Sequence, residues 1–308
     1  MVVCKNLKNI KKMKESVLSI GSFDGMHLGH ADLINAAQSM AKSKQIPSVI
    51  ITFDPHPKFI LTRGSKIFQQ LMRINEKLNY LKGKGVDNVL IIPFDVNFSK
   101  LSADYFLKKY IINYFNPTDI IIGYDHCFGF KREGDESFLN KNKKLYGYDV
   151  HTINPIYYKD NIVSSSLIRS YIISGQIEKA NDCLGWQYGF SGKIVHGNGI
   201  GTYLDFPTAN ILPTDASQLV PARGVYSVDV IIGSRQYLGM CNIGSRPTFY
   251  ANGREIIEVH LLSNKKLNLY NNSINIQFKK FIRKEKKYST KNKLVRQLQL
   301  DREVCFNL

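Results

Sequence analysis

The stretch that most constrains the fold is Val17-Leu18-Ser19-Ile20-Gly21-Ser22-Phe23-Asp24-Gly25-Met26-His27-Leu28-Gly29-His30. An apolar run at 17–20 stops at Gly21, and from Leu28 the apolar residues recur at helical spacing through Leu33, Ile34 and Ala37. The pattern predicts a buried strand, a tight loop opened by Gly21 and Gly25, and a helix. His27 and His30, three apart, share one face of the first helical turn and project toward its unsatisfied backbone N–H groups. Such a terminus attracts phosphate. Two neutral imidazoles beside it donate hydrogen bonds to phosphate oxygens and stabilise charge developing on a leaving pyrophosphate, which is the chemistry of nucleotidyl transfer without a covalent intermediate. A lone histidine in a loop is more often a cap or a core residue. Packing alone, however, does not ask for two histidines and three glycines in the arrangement GxFDGxHxGH, and that tips the reading toward a reaction site.

A second apolar run at 48–53 leads into Asp54-Pro55-His56-Pro57. Strand, helix, strand implies a parallel sheet, whose sites lie beyond the carboxyl ends of the strands, so Asp54 and His56 reach the same rim as His27. Pro55 and Pro57 should fix an extended loop there. A rigid turn with an incidental histidine fits those four residues equally well. Downstream the patterns predict a helix over 69–82, a strand over 88–93, a helix over 101–115 stopped by Asn116-Pro117, and a strand from Asp119 to Ile122. That strand runs into the polar loop Gly123-Tyr124-Asp125-His126-Cys127-Phe128-Gly129, and a fifth strand follows over 149–153. In Val163-Ser164-Ser165-Ser166-Leu167-Ile168-Arg169 serines lead into a helix, where their hydroxyls can cap and Arg169 can fork onto a phosphate. The plainer alternative is a serine cap with a surface arginine. The helix over 170–184, interrupted at Ser174-Gly175, closes a five-strand α/β domain over residues 1–184.

From residue 185 the rhythm changes to short alternating runs, at 190–196, 226–232, 235–243, 256–262 and 273–281, separated by Gly and Pro turns. This predicts a small closed antiparallel barrel over 185–308, flanked by a terminal helix over 291–303. A chain of 308 residues suits two domains better than one. The glycine string from Gly192 to Gly201 has no helix after it and so does not meet the dinucleotide-binding pattern. The net charge of +17 (42 basic minus 25 acidic residues) suits polyanionic ligands, nucleotide or nucleic acid. An RNA-binding barrel is disfavoured, because the second half lacks an interleaved basic and aromatic series. Five scattered cysteines without zinc spacing read as reduced thiols, and no apolar run approaches the ~20 residues of a membrane span. Lysines at 5, 8, 11, 12 and 14 lack the apolar region of a signal peptide, so a cytoplasmic location is expected.

The segment at 21–30 resembles the signature of the nucleotidyltransferase superfamily marked by His-x-Gly-His. Together with TFDPHP at 52–57 and the serine-arginine segment at 163–169 it resembles the bacterial bifunctional riboflavin kinase/FMN adenylyltransferases. The likeness continues through Phe206-Pro207-Thr208-Ala209-Asn210, Pro221-Ala222-Arg223-Gly224, Cys241-Asn242-Ile243-Gly244-Ser245-Arg246-Pro247-Thr248-Phe249 and Ile257-Glu258-Val259-His260-Leu261, nearly end to end. It implies a Rossmann-like α/β nucleotidyltransferase domain followed by a riboflavin kinase-like barrel, with riboflavin, FMN, FAD and ATP as partners and no membrane or specific nucleic acid. In the first domain it assigns ATP to Gly21, Phe23, Asp24, Gly25, His27, His30, Ser164, Ser165, Ser166 and Arg169, with His27, His30 and Arg169 catalytic. Flavin would lie against Asp54, His56, Pro57, Asp125 and Phe128. In the barrel the resemblance assigns ATP to Gly192, Lys193, His196, Gly197, Gly201, Pro207, Thr208 and Asn210. Mg2+ would lie on Thr208 and Asn210, flavin on Asn242, Arg246 and Glu258, and Glu258 would be the catalytic base. The chain departs from the family pattern at His126, where Phe is usual, and at Cys127. It departs again at Thr202 and Asp205, which replace an arginine and a glycine of the nucleotide loop. Loss of the cation and addition of a Cβ there leave open a chain that keeps adenylyl transfer with an impaired kinase half.

Overall fold

The computed structural model describes residues 1–5, 7, 10–62, 68–195, 206–244, 256–262 and 273–308. The chain divides into two compact units, Met1–Ser165 and Ser166–Leu308.

The first unit is built on six parallel strands: β1 (Val2–Cys4), β2 (Ser16–Ile20), β3 (Ser48–Phe53), β4 (Asn88–Ile92), β5 (Pro117–Gly123) and β6 (Asp149–Ile153), in the order β1-β4-β3-β2-β5-β6. Residues 16–20 are buried throughout and β3 nearly so, which is why these strands read as unbroken apolar runs: helices cover both faces of the sheet. The helices are α1 (Leu28–Lys44), α2 (Pro57–Leu61), α3 (Ile74–Gly83), α4 (Ala103–Phe106, continued by a π-helical Leu107–Ile112 and Asn113–Phe115) and α5 (Glu136–Tyr146). Leu18, Ile20, Val49, Ile51, Leu90 and Ile120 pack in the core with Phe106, Leu107, Ile111 and Phe115 of α4. The sheet has one strand more than the sequence pattern predicts. The extra β1 is three residues long and exposed at Val2 and Val3, so it carries no periodic signal, and pairing with β4 makes it a strand. Pro117 opens β5 instead of merely stopping the helix, because Asn116 in the left-handed region (φ 39°) ends α4. From β2 the chain builds outward to β3 and β4, then returns to place β5 on β2's other side. The loop after β2 therefore sits where strand order reverses, the crevice at which open α/β sheets bind ligands. A short hairpin, β7 (Tyr157–Tyr158) with β8 (Asn161–Ile162), precedes α6 (Ser165–Ile173), which begins at the last residue of this unit.

In the second unit α6 is followed by α7 (Ile177–Leu184), two helices where a single interrupted one is predicted, with Gly175 left-handed (φ 78°) between them. Six antiparallel strands then close a barrel: β9 (Gly189–Val195), β10 (Thr208–Pro213), β11 (Gly224–Ile232), β12 (Arg235–Gly244), β13 (Ile256–Leu261) and β14 (Ser273–Arg283), in the order β10-β13-β12-β11-β14-β9 with β9 pairing back to β10. β10 was not among the predicted strands. Thr-Ala-Asn-Ile alternates weakly, and its strand character comes from partners on both sides. The helix α8 (Lys291–Phe306) outlasts the predicted 303 and is fastened to β14 by Asp301, which is 1% exposed. Its carboxylate accepts from Arg283 Nε at 3.0 Å and from an Arg283 terminal nitrogen at 2.7 Å.

Candidate active sites

The loop between β2 and α1 is wound more tightly than its glycines alone require. Phe23 (φ 46°) and Met26 (φ 42°) stand in the left-handed region beside Gly25 (φ 82°). That conformation costs a non-glycine residue about 1–3 kcal/mol, and here the side chains that pay it are wholly buried. Gly21 serves the turn by lacking a side chain: a Cβ there would lie 3.1–3.2 Å from the Phe23 ring. His27 is the N-cap of α1, and no acidic residue stands in the helix's first turn to offset its positive end. The His27 and His30 rings stack with centroids 3.7 Å apart and planes 20° apart, and Phe23 meets His30 edge-on at 5.4 Å. Burial first, then His27 and Lys77, hold the His30 imidazole well below the usual histidine range, so it is neutral at physiological pH. Its Nδ1 is buried and has no hydrogen-bond partner among the described residues.

Two buried side chains bind this loop to its surroundings. Asp24, 2% exposed, accepts from the backbone N–H groups of Leu71 (3.0 Å) and Met72 (3.3 Å), while Ser165 Oγ donates to the Asp24 carbonyl at 2.9 Å. Lys77 of α3, 4% exposed, donates from Nζ to the Ser22 carbonyl at 2.5 Å and to Thr52 Oγ1 at 3.2 Å. Asp24, assigned to ATP by resemblance, thus has its carboxylate turned to backbone amides. Ser165 links the His-x-Gly-His loop to the start of α6, using the hydroxyl that the sequence suggests as a helix cap. Sequence reasoning missed Lys77, although there is a signal: it lies one helical turn before Leu81, on the stripe α3 buries.

The loops after β3 and β5 flank this one at the same end of the sheet. The prolines after β3 do not hold an extended segment: the Asp54-Pro55 bond is cis, and Pro57 opens α2. His56 caps that helix, its Nδ1 accepting from the Lys58 N–H at 3.1 Å, and its ring stacks on Phe68 at 4.5 Å. After β5, Asp125 is exposed, while Phe128 lies in the core against Phe106 and Phe138. Burial, assisted by Arg132, brings His126 down to about 4, so this imidazole is also neutral. Ser164 precedes α6. Ser166, exposed, and Arg169, half-buried, lie on α6 within the second unit.

In the barrel, strand register assembles a second group. Asn210 of β10 is opposite Glu258 of β13, and Glu258 is opposite Asn242 of β12, a row across three neighbouring strands. All three are half-buried, on the face opposite the buried Cys241, Ile257 and Val259. Thr208, exposed, lies two residues from Asn210 on the same face. His260 Nδ1 donates to the carbonyl of Pro207 at 2.8 Å, and its ring packs on Phe206 at 5.1 Å, which anchors the segment leading into Thr208. On β9, Gly192 allows close approach to β10, since a Cβ would come 2.4 Å from Ile211 Cγ2, and Lys193 is exposed beside it. His196, Gly197, Gly201, Thr202, Asp205 and Arg246 lie outside the described residues. No group of three or more His, Cys, Asp or Glu is disposed to hold a metal among the described residues. Thr208 and Asn210 do present neutral side-chain oxygens, a donor set suited to Mg2+ held jointly with substrate phosphates.

Comparison with known proteins divides the chain along the same lines. A family model described as FAD synthetase matches residues 9–167, and one described as riboflavin kinase matches 184–308. Proteins named bifunctional riboflavin kinase/FMN adenylyltransferase are similar over nearly the whole length. The one from Buchnera aphidicola subsp. Schizaphis graminum is 37% identical, covering 100% of both chains. That from Escherichia coli K12 is 33% identical over 98% of this chain and 96% of its own. That from Bacillus subtilis 168 is 32% identical over 95% and 92%. A solved structure described as a macrolide-efflux protein from Streptococcus pneumoniae superimposes with a TM-score of 0.89 at 30% identity, covering 100% of this chain and 99% of that one. Among the described residues no helix is long and apolar enough to cross a membrane.

Proposed function

This chain belongs to the bifunctional riboflavin kinase/FMN adenylyltransferases, and from that premise we propose which of its residues perform each reaction. The enzyme phosphorylates riboflavin to FMN with ATP and adenylylates FMN to FAD with release of pyrophosphate. The catalytic modules meet at 184/185, a division supported by the residue at which the riboflavin kinase match begins.

Adenylyl transfer belongs to the rim around the His27–His30 pair. A phosphate oxygen of FMN attacks the α-phosphorus of ATP, and the bond to the β-phosphate breaks. The attacking phosphate is already ionised, so no strong base is needed and catalysis is positioning plus stabilisation of charge on the leaving pyrophosphate. His27 and His30 donate to phosphate oxygens beside the N-terminus of α1, His30 as a neutral imidazole, with Ser164 and Ser165 on the ATP side; Ser166 and Arg169 are assigned to ATP by the family motif alone. Gly21, Phe23, Asp24 and Gly25 shape the loop. Asp54, His56, Pro57 and Asp125 line the flavin side, and Phe128 supports that surface from the core. The stacked histidine pair, with the buried His30 held neutral, at the point where strand order reverses is the observation that carries this assignment.

Riboflavin phosphorylation belongs to the cross-strand row. Glu258 takes the proton from the ribityl 5′-hydroxyl as that oxygen attacks the γ-phosphorus of ATP and the bond from Pγ to the β,γ-bridging oxygen breaks, releasing ADP; Asn210 and Asn242 flank the carboxylate. Asn242 and Arg246 hold the flavin. Gly192, Lys193, His196, Gly197, Gly201, Pro207, Thr208 and Asn210 form the nucleotide side. Thr208 and Asn210 would hold Mg2+, which when bound screens phosphate charge. The cytoplasm is the proposed location, supported by five free cysteines. The test is the product profile with riboflavin and with FMN as separate starting materials. Glu258→Gln should lose FMN formation and keep FAD formation from FMN, and His30→Ala should do the reverse. Loss of both activities in either variant would overturn the assignment to separate sites.

A further inference from the structure

Lys77 is a buried cation that the reaction described above does not use. It reaches from α3 to the rim of the sheet, where Nζ donates to the Ser22 carbonyl in the His-x-Gly-His loop and to Thr52 Oγ1 at the end of β3. The negative charges of Asp24, on the loop after β2, and Asp54, on the loop after β3, act on Lys77, and its positive charge acts on His30 of α1. Lys77 thus occupies the junction of the loop that carries both histidines and the loop that carries Asp54. Asp24 fixes the former loop from the other direction by accepting the Leu71 and Met72 amides.

Resting on the adenylyltransferase reading of this rim, we propose that Lys77 is a positioning residue for FAD formation: its ammonium group joins the Ser22 carbonyl to Thr52 and thereby holds His27 and His30 in register with the reacting phosphates. Charge matters to that task. A charge-assisted hydrogen bond is roughly twice as strong as a neutral one, and the positive group also attracts the two flanking carboxylates. The same charge adds to burial and His27 in disfavouring a proton on His30. Burial brings Lys77 down to about 8, against the opposing pull of Asp24 and Asp54, so it is charged at neutral pH and loses its charge just above.

The test compares FAD formation from FMN and ATP with FMN formation from riboflavin and ATP in the full-length enzyme between pH 5 and 10. The expected result is a fall in kcat for FAD formation through about pH 8 that FMN formation does not share. A rate ratio that stays flat from pH 7 to 10 overturns the proposal without any mutation. Lys77→Met, checked for folding by thermal melting, should lower kcat for FAD formation by about 10- to 100-fold with KM changed little, the size expected for ångström-scale misplacement of catalytic groups. Its alkaline limb should disappear, and its acid limb should move to higher pH because His30 is relieved of a neighbouring charge. Lys77→Arg should restore part of the rate without the limb near 8. A folded Lys77→Met enzyme with unchanged kcat overturns the proposal, as does an effect confined to KM for ATP, which would make Lys77 a substrate contact. If His30→Ala also left FAD formation intact, the reading of the site would fall; Lys77→Met neutral with His30→Ala inactive removes the positioning role alone.

Discussion

Of the two imidazoles at the start of α1, His30 is set apart by its surroundings: burial, then the neighbouring His27 and Lys77, disfavour a proton on it. With His30 held well below its usual range by burial, the rate of FAD formation should show no limb from this group between pH 6 and 7.5, as a stopped assay with product chromatography would reveal. A half-maximal point near 6.5 that vanished in His30→Ala would contradict the neutral-donor role. Removing one preorganised donor to developing charge costs about 3–4 kcal/mol, roughly 10²–10³ in rate, so His30→Ala should lower kcat for FAD formation by that factor and leave FMN formation unchanged. His27 and His30 stand out in the sequence by residue type and spacing, whereas Glu258 is singled out only by the resemblance of its strand to the riboflavin kinase pattern. Lys77 and the carboxylate role of Asp24 were not legible there, since what matters for both is the partner: a carbonyl fifty-five residues away for one and amides near position 71 for the other.

Secondary-structure elements carry the sites through pairing that no single segment encodes. β10 is a strand because β9 and β13 flank it, and that pairing sets Asn210, Glu258 and Asn242 side by side. α8 depends on a comparable long-range bond. Asp301 is buried and gathers Arg283 and Gln297. Asp301→Ala would leave the guanidinium without its partner, and breaking such a pair costs about 3–5 kcal/mol. The expected outcome is a lowered melting temperature for the transition that abolishes FMN formation, read by following that activity and circular dichroism during heating. An unchanged melting profile would show that apolar packing alone seats the helix.

Across the whole chain, the two reactions are linked by FMN, the product of one and the substrate of the other, and we propose that it is released between them. A mixture of His30→Ala and Glu258→Gln enzymes should therefore make FAD from riboflavin and ATP after a lag while FMN accumulates, although neither makes it alone. No FAD from the mixture would mean that FMN is not released between steps. The sequence by itself determined the α/β-then-barrel order, because apolar periodicity is a local property. The tertiary structure alone decided that β1 and β10 are strands, that Phe23 and Met26 bear the loop's left-handed turns, that Asp24 and Lys77 hold it, and that three half-buried polar residues align across the barrel. Each of those depends on a hydrogen bond or a packed surface supplied by residues remote in the chain, and their free energy exists only once the fold has brought the partners together.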